Sequence, residues 1–288
     1  MDGVINLYKP ADITSHRAVQ KIRTILNVKK AGHAGTLDPF AEGVLLVCLD
    51  RATRISEYLT ALPKEYIVEM LLGVRTDTYD ITGTVVERRD YSSVKEEELH
   101  SLLKQFVGLY RQVPPIYSAK KKRGIPLYRY ARKGIAVEAE PQDVFIHEIE
   151  LLDFSPPLVR FKVRCSRGTY IRSLVDDLGE RAGTVATVRR LKRTAVGEFT
   201  EEDSMTMEMI SEGRYRLYTI DEALYFLPEY RLSERELYLA VHGTGFRIEG
   251  DIPRNIPVRL KTDGRVVAIG TVGEGNVMKI NKVLLSED

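Results

Sequence analysis

The chain contains no tryptophan and only two cysteines among 288 residues. Cys48 and Cys165 stand far apart and form no CxxC pair. That excludes a disulfide framework and suits a reducing compartment. Apolar residues flank both, so each reads as a small core residue. No apolar run reaches the ~18 residues that a membrane span needs. Met1-Asp2-Gly3-Val4 lacks a basic segment followed by an apolar one, so no secretory signal is expected and cytoplasmic residence is the default. The five histidines are scattered, and HExxH and paired-cysteine spacings are missing. GxxxxGK[ST] and GxSxG are missing too, which argues against a P-loop nucleotidase and an α/β-hydrolase. No metal site is expected. The formal charge is only +2, so bulk charge does not announce a nucleic-acid binder.

Hydrophobic residues make up 43% of the chain, enough for one large or two moderate domains. The stretch from Lys30 to Gly43 (KAGHAGTLDPFAEG) holds Gly32, Gly35 and Gly43 with one imidazole, His33, and one carboxylate, Asp38. Such a loop adopts conformations that other residues resist, or lies close to something. Asp-Pro is equally a common turn initiator, so a structural turn stays open at this point.

Val4 to Tyr8 reads as a strand. Thr14-Ser15 offers an N-cap for a helix carrying Ala18, Val19, Ile22, Ile25 and Leu26 on one face. Arg51 to Leu62 reads as a helix, and Tyr66 to Leu72 as a strand. A polar loop from Gly73 to Gly83 precedes a strand at Thr84 to Arg88. Ser93 with Glu96 predicts a capping box for a helix over Leu99, Leu102, Leu103 and Phe106. Val144, Ile146, Ile149 and Leu151 suggest another strand. Val159, Phe161, Val163 and Cys165 alternate with Arg160, Lys162 and Arg164, which is a half-buried strand. Thr169 is expected to cap a helix with a stripe of Ile171, Leu174, Val175 and Leu178. Strands and helices mix without strict alternation, so the expected class is α+β. Beyond Pro228, short apolar strands broken by glycines predict a small barrel-like β domain, close to the lower size limit for an independent core. The expected domains are 1–228 and 229–288.

Charge is unevenly distributed. Seven basic residues and no acidic one fall between Ser118 and Gly134, interleaved with Tyr128 and Tyr130. Ten Lys/Arg against three acids fall between Arg160 and Arg193. A charge run is ordinarily a solvated face. Here cations for phosphate and rings for stacking favour an RNA partner. Gln112 to Arg123, with Pro114-Pro115, reads as a mobile arm that orders on binding.

Several motifs resemble the bacterial tRNA pseudouridine synthase B family, in its order: Asn6 to Pro10, Thr14 to His16, Gly32 to Pro39, Lys64 to Tyr66, Gln112 to Ala119, Gly168 to Leu174, Leu191 to Thr194 and Val196 to Phe199. The tail with Val241 to Gly245 resembles the RNA-binding PUA domain. The resemblance covers nearly the whole chain. It implies a pseudouridine-synthase catalytic fold with an RNA-clasping insertion at about 108–140. It implies conversion of a T-loop uridine (position 55) of tRNA to pseudouridine, without cofactor or metal. The implied partner is the tRNA T-arm, with the PUA domain reaching the acceptor end. No membrane is involved, and a monomer is expected.

Carried over by motif, Asp38 is the catalytic carboxylate, Arg172 its partner, and Tyr66 the ring that stacks on uracil and takes part in loss of the C5 proton. Leu191 forms the apolar wall under the base, and Tyr170 supports the site. Lys9, Pro10 and Gly35 support the loop. His33 fills the gap left by the extruded base, whose unstacking costs a few kcal/mol. Asp80 is expected to contact T-loop bases, and Lys120 to touch RNA. Asp77 reads equally as a loop-closing side chain. Lys120, Lys192 and Tyr8 depart from the residues common in the family. Two other readings stay open: a non-catalytic RNA-binding protein, and a base-excising glycosylase acting through Asp38.

Overall fold

The computed structural model describes residues 1–118, 120–122, 124–131, 135, 137, 139–250 and 252–285. Of the expected basic run and arm, Ala119, Arg123, Arg132, Lys133 and Gly134 lie outside the described residues.

A nine-stranded sheet organises the larger part of the chain. Its strands are β1 (Gly3–Lys9), β2 (Ala31–His33), β3 (Glu42–Leu49), β4 (Lys64–Leu72), β5 (Gly108–Gln112), β6 (Gln142–Ser155), β7 (Leu158–Cys165), β8 (Ala186–Val196) and β9 (Phe199–Thr200). The order is β1-β3-β8-β4-β7-β6-β5, with β2 on β3 and β9 on β8. Neighbours are antiparallel except β3 and β8, which meet in parallel only at Glu42/Lys192 and Gly43/Arg193.

The apolar run in β3 follows from burial on both faces. Val44, Leu46 and Cys48 face one core, while Leu45, Val47 and Leu49 face another. Helix α1 (Ser15–Ile25) covers the second face with Ala18, Val19 and Ile22. Thr14 caps it as expected, accepting from the Arg17 amide at 3.0 Å. Beyond β8, β4 and β7 bury Tyr66, Val68, Met70, Val159, Phe161 and Val163 against α2 (Glu96–Lys104) and α3 (Ile171–Arg181). Register shifts in β6 move its inward positions from even (Val144, Ile146) to odd (Ile149, Leu151) after Ile146, and back to even (Phe154) after Leu151.

Two expected caps differ. Helix α2 begins after Lys95, and no side chain caps it. Asp90 instead accepts from the Ser92 amide and hydroxyl, a local turn that leaves Ser93 too early to cap. Helix α3 begins after Tyr170, while the Thr169 hydroxyl donates to the Ser166 carbonyl.

The C-terminal sheet contains β10 (Glu229–Arg231), β11 (Phe246–Arg247), β12 (Pro257–Thr262), β13 (Arg265–Val272) and β14 (Val277–Val283), in the order β10-β12-β13-β14-β11. It has its own core around Val258, Leu260, Val267 and Met278. Val266, Ile269 and Leu284, however, join Val44, Leu46 and Leu59 in a core of the larger part. Arg259 and Lys261 also pair with Asp221, at 2.5 and 2.6 Å.

Candidate active site

The segment joining β2 to β3 carries Asp38, and its backbone is tied down on every side. The buried Ser15 hydroxyl, in the first turn of α1, accepts from the Leu37 amide and donates to the Leu37 carbonyl, both at 2.9 Å. The Pro39 carbonyl accepts from the Asp12 amide at 2.8 Å and from Lys9 Nζ at 3.2 Å. Lys9 is fully buried, and its remaining donors go to the carbonyls of Pro10 and Ile13. Burial, aided by the nearby Arg193 charge, lowers its pKa to about 8. The Ala41 amide closes a turn onto the Asp38 carbonyl. The Asp-Pro turn and the shaped loop are therefore one structure.

Arg172, in the first turn of α3, meets Asp38 with its fork. Nη2 donates to Oδ1 at 3.1 Å, and Nε lies 2.9 Å from Oδ2 as an ion-pair contact. The guanidinium also donates to the carbonyls of Tyr117 (2.9 Å) and Thr78 (3.1 Å). Its Nη1 lies 3.4 Å from Asp80 Oδ2. The side chains of Arg172 and Asp80 are each 5% exposed, whereas that of Asp38 is 32% exposed. One buried cation is thus held from behind while the carboxylate in front of it stays open.

Asp80 faces inward. Its Oδ1 accepts from the Thr78 hydroxyl and from the amide and hydroxyl of Thr82. Asp77 accepts from the Thr84 amide and closes the loop. Tyr66 on β4 and Leu191 on β8 are buried in the same core as Leu37, Ala41 and Ile171, beside the Asp38 turn. Burial raises the Tyr66 phenol above its usual range, opposed by the Arg193 charge, so it stays protonated at neutral pH. Tyr170 is fixed through its backbone: its amide donates to Gln112 Oε1, and its carbonyl accepts from Gln112 Nε2. Burial raises its phenol as well.

His33 pairs with Val47 as the last residue of β2. Burial lowers its pKa, with the charges of Arg193 and His16 adding to the effect. Its ring is therefore neutral at physiological pH. Lys120 donates to Gln142 Oε1 at 2.9 Å and to the Glu140 carbonyl at 3.1 Å. Residues 112–118, expected as a mobile arm, are docked. Pro114, Pro115 and Ser118 are buried, and the Ser173 hydroxyl donates to the Val113 carbonyl at 2.7 Å. The hydrogen bonds come from α3, which is distant in sequence.

Arg193 has no assigned role in the sequence reading, although it stands within the quoted Leu191 to Thr194 motif. It is 1% exposed and donates to the carbonyls of Val44, Gly35 and Thr36. The signal was available: it stands two residues after Leu191 on the same strand and so shares its inward face. Gly35 (φ +96°) supplies one of those carbonyls.

A buried arginine bonded to an accessible carboxylate is thus flanked by a buried tyrosine and leucine on this mixed sheet. The model of the TruB family pseudouridylate synthase N-terminal domain matches residues 23–171. That of the tRNA pseudouridylate synthase B C-terminal domain matches 172–229. The tRNA pseudouridine synthase B of Stutzerimonas stutzeri is 42% identical over 297 residues, covering 100% of this chain and 97% of that protein. That of Clostridium tetani is 46% identical over 240 residues, 83% of each. Among solved structures, a Cbf5-Nop10-Gar1 complex matches with a TM-score of 0.77 at 29% identity, over 98% of this chain and 85% of that one. An H/ACA RNP bound to a substrate RNA containing 2'-deoxyuridine matches at 0.76 and 28%, over 99% and 86%. The chain belongs to the TruB family of pseudouridylate synthases.

Proposed function

We propose that the protein isomerises the T-loop uridine at position 55 of tRNA, with Asp38 as the catalytic carboxylate. The observation that carries this reading is the Asp38–Arg172 contact, in which a buried guanidinium meets an accessible carboxylate through one hydrogen bond and one ion-pair contact. Such pairing fixes the direction of the carboxylate. The reaction breaks the bond between C1′ and N1, turns the uracil and joins C5 to C1′. The C5 proton is lost and N1 gains one, so the RNA mass is unchanged. Tyr66 enters as the phenol and stacks on the base, with Leu191 as the wall beneath. A proton reaches Tyr66 only if its own proton leaves. The neutral ring of His33 occupies the gap in the loop, where a flat uncharged group stacks without further desolvation.

The C-terminal segment, 229–288, is the PUA domain in this reading and contacts the acceptor end. Tyr238 is exposed there and stacks on His242 at 4.3 Å, with Arg235 on the same helix (Glu234–Val241). Aromatic and basic groups together suit RNA. The protein acts as a monomer in the cytoplasm.

The test uses a T-arm stem-loop RNA tritiated at C5 of uridine. Wild-type protein is expected to release tritium and leave the RNA mass unchanged. Asp38→Asn is expected to lower the rate by ~1000-fold or more. Free uracil with an abasic site would establish the glycosylase reading, and binding without release would establish a non-catalytic one.

A further inference from the structure

Among the described residues, Arg193 is the largest side chain less than 2% exposed. Among the described residues no carboxylate forms an ion pair with it. It donates to three main-chain carbonyls, and all three flank the Asp38 turn. Nε donates to Val44 at 2.7 Å on the far side. Nη2 and Nη1 donate to Gly35 at 3.1 Å and Thr36 at 3.3 Å on the near side. An apolar side chain of similar volume would fill this space without desolvating a charge. A guanidinium supplies something an apolar chain cannot, namely several fixed donors in one plane.

Its backbone serves the same end. Arg193 pairs with Gly43, one of only two positions at which β3 meets β8. A Cβ on Gly43 would lie 2.2 Å from the Arg193 carbonyl oxygen, so main chain and side chain of one residue reach both flanks of the turn. On its other side Arg193 stands opposite Tyr66 in the register of β8 with β4. Arg193 thus bonds the flanks of the Asp38 turn with its side chain and pairs through its strand with Tyr66.

We propose that Arg193 is a positioning residue: it closes the Asp38 turn onto β8 and fixes the distance between Asp38 and Tyr66 when the extruded nucleotide enters. The proposal rests on Asp38 being the catalytic carboxylate. It predicts a loss in the chemical step and not in RNA binding. A displacement of about 1 Å at a reacting group costs about 100-fold in rate.

The experiment measures single-turnover rate and RNA affinity separately, on the same tritiated T-arm stem-loop, for wild type, Arg193→Lys and Arg193→Ala. Lysine keeps the charge but lacks the fork. Arg193→Lys is expected to bind RNA within about 3-fold of wild type and to react about 100-fold more slowly. Millimolar guanidinium is expected to restore at least 10-fold of the rate lost by Arg193→Ala, and not to change Arg193→Lys. An Arg193→Lys rate within 2-fold of wild type overturns the proposal. So does a parallel loss of rate, affinity and melting temperature, which is the behaviour of a purely structural cation. If Arg193→Ala does not fold, Arg193→Lys decides alone. Inactive wild-type protein, or a fully active Asp38→Asn, would instead remove the reading of Asp38 itself.

Discussion

Arg172 offers one positive charge to two carboxylates, and the two see it differently. Asp38 receives two nitrogens at 2.9 and 3.1 Å, while Asp80 receives one at 3.4 Å. Asp80 has already committed Oδ1 to three donors from Thr78 and Thr82. It is thus a fixed stop behind the guanidinium, and Asp38 is the group presented. Arg172→Lys replaces a planar fork by a point charge. The expected result is about a 100-fold fall in single-turnover rate with RNA affinity changed by less than about 3-fold, checked by rapid quench and filter binding. Tyr66→Phe keeps the stacking face and removes the hydroxyl. Its rate is expected to fall about 100-fold if the hydroxyl handles a proton; an unchanged rate would limit Tyr66 to stacking. These assignments were unevenly legible. Asp38 stands in a stretch whose glycines mark it, but Arg172 reads from its surroundings as a phosphate contact, and only the resemblance pairs the two. The pattern of threonines around Asp80 announces a self-bonded turn. Its inward direction depends on Arg172, almost a hundred residues away, and no local pattern reports that.

Elements around the site are tied by buried cations in addition to strand pairing. Lys9 and Lys64 each bond carbonyls and have pKa values lowered to about 8, mainly by burial and then by the Arg193 charge. Both values lie below the 10.5 of the free side chain. The folded protein therefore releases these protons first as pH rises. Between about pH 8 and 10.5 the unfolded chain holds more protons, and stability from these groups increases with pH. Lys9→Met is expected to make the pH dependence of stability less favourable over that window by roughly 3 kcal/mol, read from denaturant midpoints at pH 7.5 and 10. An identical slope would show that Lys9 does not titrate there. Gly43 has φ +106° and no room for a methyl group. Gly43→Ala is expected to cost more than about 3 kcal/mol, seen as a lower melting temperature. Periodicity predicted most of the strands, the buried stripe of α3 and that of α1 apart from Ile25, which ends the helix exposed. It failed at two caps: the Thr169 hydroxyl bonds the Ser166 carbonyl, and the turn before α2 is closed by Asp90 with Ser92, leaving Ser93 outside the helix start.

At the scale of the whole molecule, the tail is less separate than its composition suggests. The glycine-broken strands after Pro228 read as a self-contained unit. Yet β13 presents Val266 and Ile269 to the core formed by β1 and β3, while Val258 and Leu260 of β12 face the tail's own core. A continuous apolar run such as Val266 to Ile269 shows that both faces of a strand are buried, but not which neighbour covers each. A chain ending at residue 228 is therefore expected to melt at lower temperature than the full chain and to bind an apolar dye. Equal melting temperatures would show that the two parts are energetically independent.

The parallel contact of Gly43 with Arg193 also governs when the site can come into being. Its two partners are separated by half the chain, and Arg172 reaches Asp38 across a comparable span. Closing such long loops is slow, and nothing rewards it until the strands between have paired. During synthesis, β1 to β3 leave the ribosome long before β8, so the Asp38 turn spends that interval without the groups that aim it. Competence for chemistry is a late event in the life of the chain. A nascent fragment can display the loop without being able to modify an RNA.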